Sequence, residues 1–475
     1  MPSVPEFTKI ESVDSCTVNS CLVQYYRCPD AYIRFATKES HSVESGYFRF
    51  GEEGICYGDH GRDHAAELPA GMLYDTSRDT ECIDGTVHLS FDPSQVVDNL
   101  RCEKYVADWR HEPPLSALAW IYYFIRPILS VAIRKHLQKV HLRGWDKLSF
   151  PRWPVDRSVD TLLQQLLLLS IRSSGAEQIP FIWFWPDGAP SCAIMTHDVE
   201  TQAGRDACAT LMDLDDSFGI KASFQVIPEE RYGVGREFLS SIRDRGYEVL
   251  VHDLNHDGHL YRTRAQFLER AAKINAYGKE YGAKGFRAGA LYRKQLWYDA
   301  LDFAYDMSVP NVAHLDPQRG GCCTVMPYFI GNILELPVTA TQDYTLFNIL
   351  GEYSINLWKQ QIELIMEKHG LMSFVAHPDY LEGTRERRVY EELLGYLAHL
   401  REHQGIWITL PGEVNRWWRQ RAEMRLVEVG DGWRIEGDGA ERARIAYASE
   451  KEGRLLFALE RGSAADDLPP APISV

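Results

Sequence analysis

Two histidines four positions apart, His252 and His256, stand in the run GYEVLVHDLNH. That spacing lets two imidazoles reach one point from the same side of a tight loop or helical turn. Earlier in the chain, Asp198-Val-Glu200 closes the apolar run SCAIMT. Alternate residues of an extended chain point the same way, so both carboxylates can face one site. Imidazoles and a carboxylate with open positions left over are what a hydrolytic divalent ion requires, an ion that acidifies a water and polarises a carbonyl. Three more polar residues stand where apolar runs end: Arg287 in KGFRA, Asp343 after NILELPVT, and His377 closing MSFVAH. An arginine beside a carboxylate keeps it ionised, and a histidine can pass a proton near neutral pH. Every step of amide hydrolysis therefore has a candidate group.

Elements must bring these residues together. From 180 to about 420 short apolar runs alternate with helical segments: SCAIMT, KASFQVI, YEVLVH, KGFRA, FAYDMSV, NILELPVT, MSFVAH and GIWITL are the strand candidates. The segment TRAQFLERAAKINAYGKEYG starts at a Thr and ends at a Gly, and SINLWKQQIELIMEKHG runs from Ser354 to Gly370, as capped helices do. Such alternation predicts an α/β fold with parallel strands, here a distorted (β/α) barrel of seven or eight units. Active sites of barrels gather at the C-terminal ends of the strands, where the candidate residues fall. The predicted barrel covers 179–422. Before it, 1–110 reads as a β-rich domain, with strand-like runs CLVQYY, AYIRFAT, YFRFG and VHLSFD. Residues 111–178 read as a helical connector ending in DTLLQQLLLLSIRSSG, with Asp160 placed to cap that helix and Gly175 to stop it. Residues 423–475 read as a small β appendage and a disordered tail, SAADDLPPAPISV.

Over about half its length the sequence resembles the polysaccharide deacetylase (NodB-homology) family. THDVE at 196–200 looks like the family's first motif, which makes Asp198 the general base and Glu200 a metal ligand. GYEVLVHDLNH is similar to the second motif, which adds His252 and His256 as ligands. FRAGALYR matches the third in part and makes Arg287 the partner of the base; FVAHPDY matches the fifth and makes His377 the general acid. The sequence departs from the pattern in four places. Glu200 stands where Asp is commoner. Asp253 replaces a Ser or Thr, removing a hydroxyl that steadies the loop. Ala288 and Gly289 lack the usual Pro, which predicts a less rigid Arg287 loop. The fourth motif is matched poorly: Asp343 in QDYTLF is the choice for its acid, with Asp306 and Asp316 as rivals. The resemblance implies one divalent transition-metal ion, zinc first, and removal of an N-acyl group, N-acetyl first, from an amino sugar in a polysaccharide or glycoconjugate. The alternatives are a deacylase or deformylase of a lipid-linked or nucleotide-linked sugar, and a catalytically weak glycan-binding or assembly protein. Tyr292, Tyr344 and Tyr380 follow the motifs and are the candidate sugar-stacking residues, with Trp297 and Tyr328 beside them in sequence.

Composition bounds the rest. The 475 residues carry a formal net charge of -16, which argues against nucleic acid as a partner, since phosphate binding needs a basic surface. Ten cysteines in a chain that opens MPSVPEFTKI, without a basic-then-apolar leader, predict reduced thiols and a cytoplasmic protein. Cys16, Cys21 and Cys28 fit no zinc spacing, and PQRGGCC at 317–323 is a Gly-rich turn with none of the features of a phosphate loop. The apolar stretch LSALAWIYYFIRPILSVAI at 115–133 is interrupted by Arg126 and Pro127 and followed by basic residues up to Arg152. It predicts a helix buried between domains, or one lying on an anionic membrane face through 115–152, and not a spanning helix. The sequence leaves the oligomeric state open.

Overall fold

The computed structural model describes residues 20–38, 45–60, 72–106, 142, 144–430 and 432–460. Most of the apolar segment 115–143 and the tail 461–475 lie outside the described residues. Among those described, no helix is long and apolar enough to cross a membrane.

The first described element is a helix, Ser20–Tyr26, where the run CLVQYY predicted a strand. A short apolar run carries no period that separates the two, and here Leu22, Tyr25 and Tyr26 are buried on one helical face. Five short strands follow: β1 (Phe35–Thr37), β2 (Gly46–Phe50), β3 (Gly54–Gly58), β4 (Glu81–Ile83) and β5 (Thr86–Leu89). They form a hairpin, β2–β3, and a three-stranded sheet ordered β1-β5-β4. Helix Pro93–Arg101 starts at Asp92, whose carboxylate accepts the N–H groups of Ser94 and Gln95.

Helix Ser158–Ser174 ends at Gly175 in the left-handed conformation, φ 68°, as its sequence implies. Asp160 is not its cap. Asp156 accepts the Ser158 N–H at 2.9 Å, while Asp160 is buried and accepts from Tyr25 Oη, Thr324 Oγ1 and the N–H of Val325. One carboxylate thus ties the first helix, the connector and a barrel loop together.

After β6 (Gln178–Ile182) come the barrel strands: β7 (Cys192–Val199), β8 (Ala222–Val226), β9 (Glu248–His252), β10 (Gly285–Arg287), β11 (Tyr305–Asp306), β12 (Tyr328–Ile330), β13 (Ile333–Glu335), β14 (Leu371–Ala376) and β15 (Trp407–Thr409). The sheet runs β12-β13-β11-β10-β9-β8-β7-β14, with β15 also on β7. Every pairing is parallel except β12 with β13. Past β13 the chain reaches β14: the N–H of Ala340 donates to Ser373 O at 3.2 Å, and Thr339 Oγ1 bonds Leu371 O and accepts from the Ser373 N–H. The result is a curled, incompletely closed α/β barrel. Its distortion has a visible cause. Helices such as Gln202–Ser217, Arg264–Tyr281 and Thr384–Gln404 cover most crossovers, whereas only 3-10 turns join β10 to β11. All eight residues of β7 are buried, as a central parallel strand requires.

Beyond helix Pro411–Glu423, β16 (Arg425–Val429) and β17 (Gly432–Glu436) form a hairpin, and β18 (Ile445–Lys451) and β19 (Arg454–Leu459) another. β18 also pairs antiparallel with β6, so the last described strands complete a sheet begun just before the barrel. Every cysteine among the described residues is a free thiol.

Candidate active site

Each candidate side chain is delivered by the end of a parallel strand. β7 alternates across its length. Thr196 and Asp198 face the interior, while His197 points outward to Asp215 Oδ2 at 3.0 Å and to the carbonyl of Ala376. Asp198 Oδ1 accepts from Arg287 Nη1 at 2.7 Å, and the same guanidinium donates to Thr196 Oγ1 and to the carbonyl of Met307. Burial would push the Asp198 carboxyl up, but Arg287 first, then His252 and His377, hold it below the usual range.

Glu200 follows at the rim. Its Oε1 lies 2.9 Å from His256 Nε2, 3.7 Å from His252 Nε2 and 3.5 Å from His377 Nε2. Ligand atoms of Glu200, His252 and His256 all fall within 4.8 Å of one another. His252 Nδ1 donates to the carbonyl of Arg287 at 3.1 Å, which orients the ring and turns Nε2 towards Glu200. The Nε2 atoms of His252 and His256 are both buried, and both face the Glu200 carboxylate. Burial raises the Glu200 carboxyl, yet His256 and the three imidazole contacts outweigh it and hold it well below its ordinary value. Burial lowers the His256 imidazole, and Glu200 more than restores it. Two buried imidazole nitrogens converging on an ionised carboxylate form a set that fits a divalent transition metal.

His377 stands on the other flank of Glu200. Asp343 fixes it twice: Oδ1 meets His377 Nδ1 at 2.6 Å and Oδ2 accepts the His377 N–H at 2.7 Å. Burial alone would lower the imidazole, but Asp343 and then Glu200 draw it well above its usual value. The rivals for Asp343 lie elsewhere. Asp306 accepts the N–H and Oγ of Ser308, and Asp316 accepts from Gln342 Nε2. Tyr380 lies 4.8 Å from the His377 ring and 5.5 Å from Tyr344, so those two aromatics flank the acid candidate. Tyr292 is half-buried just after the turn that follows Arg287. Trp297 packs against Tyr261 and Phe267, and Tyr328 is buried with its hydroxyl on the carbonyl of Arg101.

Several supporting contacts of the site were not legible in the sequence, where Asp253 stood only as a departure from the second motif. Asp253 takes over the work of the missing hydroxyl: Oδ1 accepts the Leu254 N–H and Oδ2 that of Gly289. The turn after Arg287 is held without a proline by that bond and by the Ala288 N–H on Ser308 Oγ. Arg231 donates to the carbonyls of Asn255 and His256, and Arg270 grips Asp257 through both oxygens at 2.7 and 2.6 Å. Asp253, His256, Ala290 and Leu291 all have left-handed backbones, with φ of 58°, 54°, 54° and 52°. Non-glycine residues hold that conformation only where their surroundings enforce it, commonly at functional sites. The left-handed residues Asp253 and His256 could have been suspected from the Asp/Asn-rich string HDLNHDGH, but nothing local marks Arg231 or Arg270.

No protein-family description matches this chain, and no curated protein matches it in sequence. The solved structures similar to it include polysaccharide deacetylases. One from Mycobacterium smegmatis is 16% identical, with a TM-score of 0.42, covering 53% of this chain and 98% of its own. The allantoinase PuuE is 13% identical, with a TM-score of 0.39, over 50% and 92%. A family 4 acetyl xylan esterase from Clostridium thermocellum, solved with a cobalt ion, is 14% identical, with a TM-score of 0.29, over 48% and 91%.

Proposed function

We propose that this chain is a metal-dependent hydrolase that removes an N-acyl group, acetyl first, from an amino sugar in a polysaccharide or glycoconjugate. The observation that carries the reading is the meeting of Glu200, His252 and His256 within 4.8 Å, abutted by the Asp198–Arg287 and His377–Asp343 pairs. Those three residues would hold the ion, and zinc suits two imidazoles and a carboxylate. When bound, such an ion would lower the pKa of a water and polarise the acyl carbonyl.

The remaining chemistry belongs to the side chains. Asp198 is the general base. Arg287 occupies Oδ1 and keeps the group ionised, while Oδ2, 3.8 Å from His252 Nε2, faces the ligand cluster and can take a proton from water there. Arg287 is a fixed charge, with Nε and Nη1 donating to Met307 O, Thr196 and Asp198 and Nη2 lying on the Met307 sulfur. His377 is the general acid. Asp343 holds its Nδ1 side, so Nε2 is turned towards Glu200 and the cleft with a proton to give the leaving amine. Tyr380 and Tyr344, with Tyr292 across the rim loops, offer faces on which a sugar ring can stack.

The test is acetate release from N-acetylglucosamine oligomers by zinc- or cobalt-loaded protein. Activity that vanishes on chelation and returns with metal supports the reading. Metal-loaded protein that releases no acid from any N-acylated sugar overturns it. A lipid-linked sugar is the alternative substrate, favoured by the apolar-then-basic composition of 115–152, which also suits a cytoplasmic enzyme working at a membrane face. Parallel assays on soluble and lipid-linked acceptors separate the two.

A further inference from the structure

Glu103 lies just past helix Pro93–Arg101, at the end of the N-terminal strands, and its backbone is left-handed with φ 58°. Its buried carboxylate receives Arg293 Nε at 2.7 Å, a close contact from Nη2, and the N–H of Gly321 at 2.6 Å. Arg293 is buried as well, and its Nη1 donates to the carbonyls of Leu291 at 3.0 Å and Gln318 at 3.4 Å. The Gln318 amide closes the arrangement, accepting the Arg293 N–H at 2.9 Å and donating to its carbonyl at 3.0 Å. Nearby, Tyr105 Oη donates to Gly321 O and Gln295 Nε2 to Arg101 O. The N-terminal region is therefore seamed to the loops that follow Arg287.

The turn gripped by Arg293, Gly289–Leu291, contains two of the left-handed non-glycine residues, Ala290 and Leu291. Its other face lies directly on the ligand loop. The Gly289 N–H donates to Asp253 Oδ2, and a Cβ at Gly289 would lie 2.6 Å from that oxygen and 2.8 Å from His256 Cδ2. Nothing separates the turn from the imidazole, so a turn that relaxes removes one of the walls that set the His256 ring.

We propose that Glu103 is a positioning residue for His256, acting through Arg293 and the strained turn, so that the N-terminal region is part of the site and not an independent attachment. The inference rests on the metal-site reading above. Its test is cobalt binding by the full chain, followed by the visible ligand-field spectrum. Glu103→Gln should weaken cobalt affinity about tenfold, the size expected for losing a group that orients a ligand, and should shift the spectrum. Glu103→Met with Arg293→Met fills the same volume without leaving a buried charge unpaired, and should show the same loss if the single variant does not fold. Gly289→Ala, which presses on His256 while leaving the Glu103–Arg293 pair intact, should reproduce the spectral shift. Folded variants of Glu103 that bind cobalt with wild-type affinity and spectrum overturn the inference and leave the metal site standing. A wild-type chain that binds no cobalt overturns the metal site itself and the inference with it.

Discussion

At the residue scale, the proposed roles of Asp198 and His377 differ in what each loses on substitution. Asp198→Asn keeps the shape and can still accept from Arg287, but it cannot take a proton from water. Hydrolysis should fall by about 10²–10⁴ with cobalt or zinc affinity nearly unchanged; full acetate release from this variant would move the base to another group. For His377 the sign of the pH effect follows from its partner. The acid works only while protonated, and Asp343 and Glu200 raise its proton affinity, so activity persists to higher pH and is lost as pH climbs through the raised value. Asp343→Asn removes the larger favourable contribution, and the high-pH limb of kcat should move to lower pH. A limb that stays in place would take Asp343 out of the acid's support. Each of these residues was legible in the sequence because each ends an apolar run at a strand terminus. What the motifs did not carry was the set of hydrogen bonds behind them: Asp253 was visible only as a departure, and Arg231 and Arg270 reach the ligand loop from positions whose types say nothing until the fold is closed.

At the element scale, the ligand loop between β9 and the helix Arg264–Tyr281 depends on a clamp within itself. Asp257, next to His256, is gripped by Arg270 from that helix. Burial raises the Asp257 carboxyl, and the Arg270 bonds more than reverse this, bringing it to about 2. A carboxyl depressed on folding contributes stability above its unfolded value of about 3.9, and the contribution fades as pH falls through about 2. Asp257→Asn should therefore melt below the wild type at pH 6, with the gap closing as pH drops from about 4 towards 2. An equal gap at both ends would mean the charge of Asp257 is not what steadies the loop. The central strand runs of the barrel, such as β7, β8 and β14, were readable since each is a short, continuously buried stretch, as parallel strands are. The N-terminal run CLVQYY was not, because its burial is decided by the helix Ser158–Ser174 more than a hundred residues away. Asp160 is the same lesson in a charged residue: a good cap by position, yet spent on contacts with Tyr25, Thr324 and Val325.

At the scale of the whole molecule, elements from the first and last described parts of the chain come together, and pairings such as β18 on β6 join residues too distant for any local pattern to announce. Arg421 sits at this junction. It is buried in helix Pro411–Glu423, between the rings of Phe184 and Trp418. Its guanidinium donates to the carbonyls of Tyr25 and Tyr26 from the first helix, and of Ile182 and Trp183 from β6 and the residue after it. These are carbonyl partners, so the group acts as a polar hub that satisfies backbone from two segments and ties both to the helix that carries it. Arg421→Met would keep much of the packing and strand those carbonyls. At about 1–3 kcal/mol for a buried acceptor left without a donor, the loss should be about 3 kcal/mol or more in denaturant unfolding. Because one side chain joins all three segments, the damage should be shared. Hydrogen exchange should speed up together in 20–26, 178–184 and 411–423, while the barrel strands β7 to β10 stay protected. Faster exchange confined to the helix that carries Arg421 would show that the ends of the chain are held to the barrel independently of each other.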